Sequence, residues 1–189
     1  WFVDNYSSLA AWRATTDRLT SFEEAISALA PVGYAQAATN TIAVTANSLT
    51  VQLPTGAVLL AGATLQAQAG ASVLLQGPSG SGKSTTFRTL AGIWPFASGQ
   101  VQRPANAMFI PQRPYFPNGP LRDALAYPEP ATTYSDAALQ QALVDALLPR
   151  LVDQLGTPGA WGQTLSGGEQ QRLAIARVFL KQPASVFAD

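Results

Sequence analysis

The spacing of apolar positions changes several times along this chain, and the changes divide it. From Trp1 to about Ala30, Tyr6, Leu9, Trp12 (or Arg13), Thr16, Leu19, Phe22, Ile26 and Leu29 recur three or four apart, which predicts a helix. Ser21 ahead of Glu23-Glu24 predicts a second helix start or a kink. Pro31-Val32-Gly33 through Asn40 loses the period and reads as a linker. From Thr41 to Gln68 the period falls toward two. Leu49-Thr50-Val51-Gln52-Leu53, Val58-Leu59-Leu60 and Thr64-Leu65-Gln66-Ala67 predict strands of a small, mainly antiparallel sheet, with a turn at Pro54-Thr55-Gly56. The continuous apolar run Ser72-Val73-Leu74-Leu75-Gln76 predicts a buried strand, and Thr86 to Ala91 a helix behind it.

The second half repeats the alternation. Gly92-Ile93-Trp94-Pro95 closes the helix, Ser98-Gly99 predicts a turn, and Gln100-Val101-Gln102 and Ala107-Met108-Phe109-Ile110 predict strands. Pro111-Gln112-Arg113-Pro114-Tyr115 is a stiff loop with Gln112 at its head. Leu121, Ala124 and Leu125 form a short helical piece, and Ser135 caps a helix carrying Leu139, Leu143, Ala146 and Leu147. Thr157-Pro158-Gly159 is a loop. Leu173, Ile175, Ala176, Val178, Phe179 and Leu180 line a further helix, and Ala184 to Ala188 a last strand ending at Asp189. Strands alternating with helices predict an α/β fold with a parallel core sheet, a small antiparallel β part, a helical part and an N-terminal helical extension.

Composition sharpens the picture in three ways. The 189 residues carry no net charge, so no bulk attraction to nucleic acid is expected. Cysteine is absent, which excludes disulfides and thiolate metal sites, and histidine is absent too. No apolar run reaches the ~20 residues that cross a bilayer. Both ends read as cut: the chain opens inside a predicted helix without Met and stops at the tip of a predicted core strand. It is expected to be a piece of a longer protein.

The chemistry concentrates at Gly77-Pro78-Ser79-Gly80-Ser81-Gly82-Lys83-Ser84-Thr85, which matches G-x-x-x-x-G-K-[ST] between a predicted strand and helix. Glycines let the backbone turn its N–H groups inward on phosphate oxygens, and the helix N-terminus adds its positive end. Lys83 reaches β- and γ-phosphates, and the Ser84 hydroxyl suits Mg²⁺. Lysine is scarce here, two against nine arginines, so a lysine in this register is telling. The competing view is a Gly/Ser-rich turn that binds nothing. Ser166-Gly167-Gly168, opening the helix with Glu169, offers a second anion-binding geometry. Alone it is an ordinary helix cap. With the first loop it suggests one nucleotide held between two copies.

Leu165 to Arg172 resembles the signature motif of ATP-binding-cassette (ABC) proteins. Gly77 to Thr85 resembles their Walker A, Gln112 their Q-loop glutamine, and Ser185 to Asp189 their Walker B strand. The resemblance spans residues 41–189. Phe2 to Ala14 and Ile110 to Tyr115 are similar to fused half-transporters, the group of peroxisomal acyl-CoA carriers and bacterial peptide- or cobalamin-uptake proteins. In that group the first stretch continues from the last membrane helix.

The resemblance implies a P-loop NTPase cassette over residues 39–189, its helical subdomain near 118–180, with residues 1–38 a helical extension and linker from the membrane domain. It implies that two cassettes dimerise head to tail and that ATP on one Walker A meets Ser166 and Gly168 of the other. Gln112 would help ligate Mg²⁺ and sense the γ-phosphate, and Asp189 would hold Mg²⁺ through water. No aromatic residue lies between Thr41 and Gly77, which leaves Tyr34 before that stretch and Tyr127 after the Q-loop; the resemblance implies Tyr127 as the adenine platform, since related half-transporters keep a tyrosine in this context. The implied partners are a second cassette and the protein's own membrane domain, with no nucleic acid. The implied location is the cytoplasmic face of a membrane, a bacterial inner membrane. A catalytic glutamate and a switch histidine that the family places after the Walker B aspartate have no counterpart here, so weak MgATP binding and negligible hydrolysis are expected of this chain. A soluble ABC-type ATPase is the alternative, and a small-molecule P-loop kinase a third reading.

Overall fold

The computed structural model describes residues 2–27, 34–39 and 43–189, with the side chains of residues 2–5 and 38–39 outside that description. The predicted linker at 31–40 falls partly outside the described residues.

A helix, α1 (Phe2–Ser27), runs without a break through Ser21, so the expected restart there does not occur. Its side chains from Tyr6 onward are exposed, Tyr6, Trp12, Leu19 and Phe22 each by more than 60%. A four-stranded sheet follows, in the order β1 (Ala35–Thr39), β4 (Ala97–Pro104), β2 (Val44–Gln52), β3 (Val58–Ala67). β2 pairs antiparallel with both β3 and β4, while β1 runs parallel to β4. Part of the expected linker is therefore a strand: Ala-Gln-Ala-Ala-Thr is small enough to lie along β4. The two short strands expected at 58–60 and 64–67 are one strand with register shifts against β2. Ser98-Gly99 is no turn but a kink inside β4. Gly99 sits at φ 113°, and a Cβ there would lie 2.6 Å from the Ser48 carbonyl, so the two backbones approach as only glycine permits. The Pro54-Thr55-Gly56 turn is present, closed by Leu53 N–H donating to Ala57 O.

The sheet packs Leu49, Val51 and Val101 against α2 (Lys83–Leu90), with Tyr34 and Leu90 in the same core. Beyond it, β5 (Ala107–Ile110) and β8 (Ser185–Ala188) form a parallel pair with Ile110 opposite Ala188. Residues 72–76, expected as a buried strand, belong to no strand. Val73 is 66% and Leu74 78% exposed. A parallel core strand needs a neighbour to take its backbone bonds, and β5 and β8 take each other's.

The helical part comprises α3 (Leu121–Ala126), α4 (Asp136–Asp145), α5 (Trp161–Thr164) and α6 (Gly167–Lys181), with 3₁₀ turns at Ala131–Thr133 and Pro149–Gln154. The expected loop at Thr157-Pro158-Gly159 ends in a two-residue strand, β7 (Pro158–Gly159), which pairs with β6 (Gly119–Pro120) and ties the start of α3 to the approach to α6. Leu121, Leu125, Leu139, Leu143, Leu148 and Leu173 are fully buried in one core. Ser135 caps α4 as expected, accepting from Ala138 N–H at 3.2 Å.

Candidate nucleotide site

The phosphate loop turns into α2 at Gly82, which holds φ 85°. A Cβ there would meet the Leu59 side chain at 3.0 Å, so both conformation and space select glycine. Thr86 Oγ donates back to Gly82 O at 3.0 Å and closes the first turn. Lys83 Nζ donates to the carbonyls of Gly77 and Pro78 at 2.9 and 2.8 Å, lying across the loop it would share with a phosphate chain. A cleft of about 270 Å³ opens beside Gln76, Gly77, Pro78, Ser81 and Lys83, with Leu59, Leu60 and Leu65 as its apolar wall. At the other end of α2, buried Tyr34 donates to Thr89 O at 2.6 Å and fixes the helix on the sheet. Burial pushes the Tyr34 phenol up to about 12.

Asp189 arrives from β8. Its N–H donates to Ile110 O at 3.0 Å, extending the β5–β8 register by one residue. Ser84 Oγ donates to its Oδ1 at 2.6 Å. The two residues read separately as Walker A serine and Walker B aspartate thus meet, although 105 positions apart. Gln112 leaves β5 two residues after Ile110, at the same C-terminal strand edge where open α/β sheets build their sites. Among the described residues no group of three or more His, Cys, Asp or Glu could cage a metal. A hydroxyl and a carboxylate oxygen this close are hard donors that suit Mg²⁺, which is commonly held by one or two protein oxygens together with substrate phosphates.

The second helix mouth is exposed at Ser166, Gly167 and Gly168. Glu169 closes a capping box there, accepting from Ser166 N–H at 2.9 Å and Ser166 Oγ at 2.7 Å. Arg150, which the sequence reading passed over, pairs with the Glu169 carboxylate. Behind the mouth, Gln170 donates to Gly162 O and Leu165 O, and a second cleft of about 510 Å³ is lined by Gln112, Arg113, Pro114, Gly162, Gly167 and Gln170. Gln112 therefore stands between the strand edge that carries Asp189 and the start of α6. Tyr127, expected against adenine, caps α3 beside Tyr115, rings edge to face at 5.2 Å. It does not line the phosphate-loop cleft. Arg177 was also passed over, though Leu173, Ala176, Arg177 and Leu180 trace one helical stripe, and a charge on a buried stripe was visible in the spacing.

Residues 60–189 match the family described as ABC transporter. The chain is 42% identical over 143 residues to an ABC transporter ATP-binding protein of Haemophilus influenzae, covering 75% of this chain and 24% of that protein. It is 30% identical over all 189 residues to the inner membrane ABC transporter ATP-binding protein YddA of Escherichia coli, covering 33% of it. Human ATP-binding cassette sub-family D member 3 is 36% identical over 146 residues, which cover 72% of this chain and 22% of that protein. A solved bacterial Atm1-family ABC exporter with ATP bound superposes with TM-score 0.73 at 27% identity, over 94% of this chain and 34% of that one. The chain thus spans 22–34% of the length of these relatives.

Proposed function

The chain belongs to the ABC transporter family, and from that premise we propose that it is the ATP-binding motor segment of a half-transporter, coupling MgATP binding and hydrolysis to movement of a substrate across a membrane. The observation that carries the reading is the 2.6 Å contact between Ser84 Oγ and Asp189 Oδ1 beside the phosphate loop. It supplies a metal position within reach of a triphosphate seated on residues 77–85.

In this reading the backbone N–H groups of Gly77, Pro78, Ser79, Gly80, Ser81 and Gly82 surround the phosphates. Lys83 exchanges its two carbonyl partners for phosphate oxygens, a charge-assisted replacement that strengthens both contacts. Thr85 extends the cradle into α2. Ser84 and Gln112, with Asp189 through water, would hold Mg²⁺. Bound Mg²⁺ would supply charge neutralisation to the phosphates. Asp189 is the acidic side chain recorded at Ser84 and is committed to the metal.

The exposed Ser166-Gly167-Gly168 mouth receives the triphosphate of a second copy, so two cassettes close head to tail. Ser166 then turns its hydroxyl from Glu169 to the partner's phosphate. The exposed apolar side chains of α1 support a helix whose packing partner is a membrane domain. The sequence match to YddA, an inner membrane protein by name, includes α1. We place the assembly at the cytoplasmic face of a bacterial inner membrane. Zero net charge gives no support for a nucleic-acid partner. A cassette unattached to a membrane domain is the second reading, and the apolar exposure of α1 weighs against it.

The test is equilibrium binding of a fluorescent ATP to the chain, with Mg²⁺ and with EDTA. Tighter binding with Mg²⁺, lost in Ser84→Ala and in Asp189→Asn, is the expected result. Equal affinity under both conditions would remove the metal position and the reading with it.

A further inference from the structure

The signature helix grips the Gln112 loop at two points. Near its start, Gln171 Nε2 donates to the Gln112 carbonyl at 2.6 Å. Further along, Arg177 Nη2 donates to Tyr115 O at 2.9 Å and to Ala124 O at 2.6 Å, while Nε donates to Ala124 O at 3.1 Å. The guanidinium lies 4.5 Å from the Phe116 ring centre and 5.6 Å from that of Tyr127.

Arg177 is only 6% exposed, and its recorded partners include no carboxylate. Burial draws its pKa down to about 10. Burying a cation without a counter-charge costs several kcal/mol, and an apolar residue of similar volume commonly does as well or better for stability. The stripe it occupies, with Leu173, Ala176 and Leu180, would accept one. What no apolar residue can do is bond two carbonyls of different segments at once. The planar fork does this with fixed geometry, and an ammonium group does not. Here the segments are the loop after Gln112 and α3.

We propose that Arg177 is a positioning residue that locks the Gln112 loop to the helix presenting Ser166, so that α6, α3 and residues 112–116 move as one body. Displacement of Gln112 by metal and γ-phosphate is then delivered to the Ser166-Gly167-Gly168 mouth. This second step rests on the nucleotide reading above; the lock itself does not.

The test uses Arg177→Lys and Arg177→Met in the full chain, with two readouts. Hydrogen exchange at the amides of Gln112, Arg113, Tyr115 and Phe116 is expected to accelerate about tenfold or more in both variants, with the amides of α2 unchanged. The gain in ATP affinity on adding Mg²⁺ is expected to shrink in Arg177→Lys as it does in Gln112→Ala, and to shrink no further in the double variant. Wild-type exchange rates in Arg177→Met would overturn the lock, since filling space would then suffice. Full additivity of Arg177→Lys and Gln112→Ala would overturn the delivery to Gln112. If the wild-type chain shows no MgATP binding, the nucleotide reading falls, and with it the delivery step, while the exchange data still decide the lock.

Discussion

The helical part and the approach to the phosphate loop are built on opposite terms. Six leucines of the helical part are fully buried in one core, and a helix interior bonds its backbone along its own residues. Residues 72–76 are just as apolar, yet Val73 and Leu74 stand 66% and 78% exposed and pair with no strand. A strand cannot satisfy its own backbone; it needs a neighbour, and residues 72–76 have none. The half that carries the chemistry is thus the less self-sufficient one. On the proposed reading, a ligand bridging the loop to Asp189 would add cross-links there.

The largest expected effect falls on the self-sufficient half. Leu143→Ala leaves a hole among the buried leucines and is expected to cost about 3 kcal/mol, within the ~2–5 range for such truncations. Chemical denaturation measures it. Val73→Ala, by contrast, is expected to stay within ~0.5 kcal/mol, the range of exposed positions. Equal losses at the two sites would erase the comparison.

MgATP should act on the other half. At 100 times its dissociation constant a ligand adds about 2.7 kcal/mol to the folded state. Hydrogen exchange should place the protection in residues 77–90 and β8, not in α4. Lys83→Ala should abolish that gain while shifting the unliganded melting temperature little, because the Lys83 bonds to Gly77 O and Pro78 O are solvent-exposed. Gly82→Ala should destabilise the unliganded chain by ~1–2 kcal/mol from the left-handed backbone alone, with the Leu59 contact adding to it.

Alkaline pH separates the halves differently. Tyr34 is raised to about 12 by burial on the sheet side. Tyr134 is raised to about 12 on the helical side, by burial first and then by its bond to Glu129. Each holds its proton in the folded chain above pH 10, where an unfolded tyrosine releases it. Their stabilising contribution is complete below pH 10 and is lost as pH rises to about 12. Arg177, drawn down to about 10, works in the opposite sense across the same window, because the unfolded chain binds its proton more tightly. Tyr34→Phe should therefore flatten the fall in melting temperature between pH 10 and 12. Thr89 O keeps a donor in that variant, Gly92 N–H at 3.0 Å.

What could be read from the sequence follows the same division. The Ser135 cap, the Ser166 helix start and the Gly82-Lys83 turn depend on residues a few positions apart, and the structure has them as the pattern predicts. The Ser84–Asp189 contact spans 105 positions, and only the matched motifs pointed to it. The merging of β3, the strand character of residues 35–39 and the unpaired state of residues 72–76 are set by which strands find each other. Periodicity does not record that choice. Arg177 differs: its place on a buried stripe was legible in the spacing, but its bonds end on backbone carbonyls, which no residue type betrays.

Tyr127 gives the smallest and most discriminating test of the two halves. It was expected on the nucleotide side, as the platform for adenine. It sits at the end of α3, edge to face with Tyr115 and 5.6 Å from the Arg177 guanidinium, and is 40% exposed. Both neighbours belong to the Gln112–α6 body. Aromatic and cation–π contacts of this kind are worth about 1 kcal/mol each. Tyr127→Ala should therefore lower the melting temperature by a few degrees and change the affinity for MgATP by less than about twofold, a difference below ~0.5 kcal/mol. Tyr127→Phe should change neither, because the ring contacts survive without the hydroxyl. A tenfold loss of ATP affinity in Tyr127→Ala, with the melting temperature held, would return the ring to the nucleotide. The helical half would then contribute a binding residue as well as a scaffold.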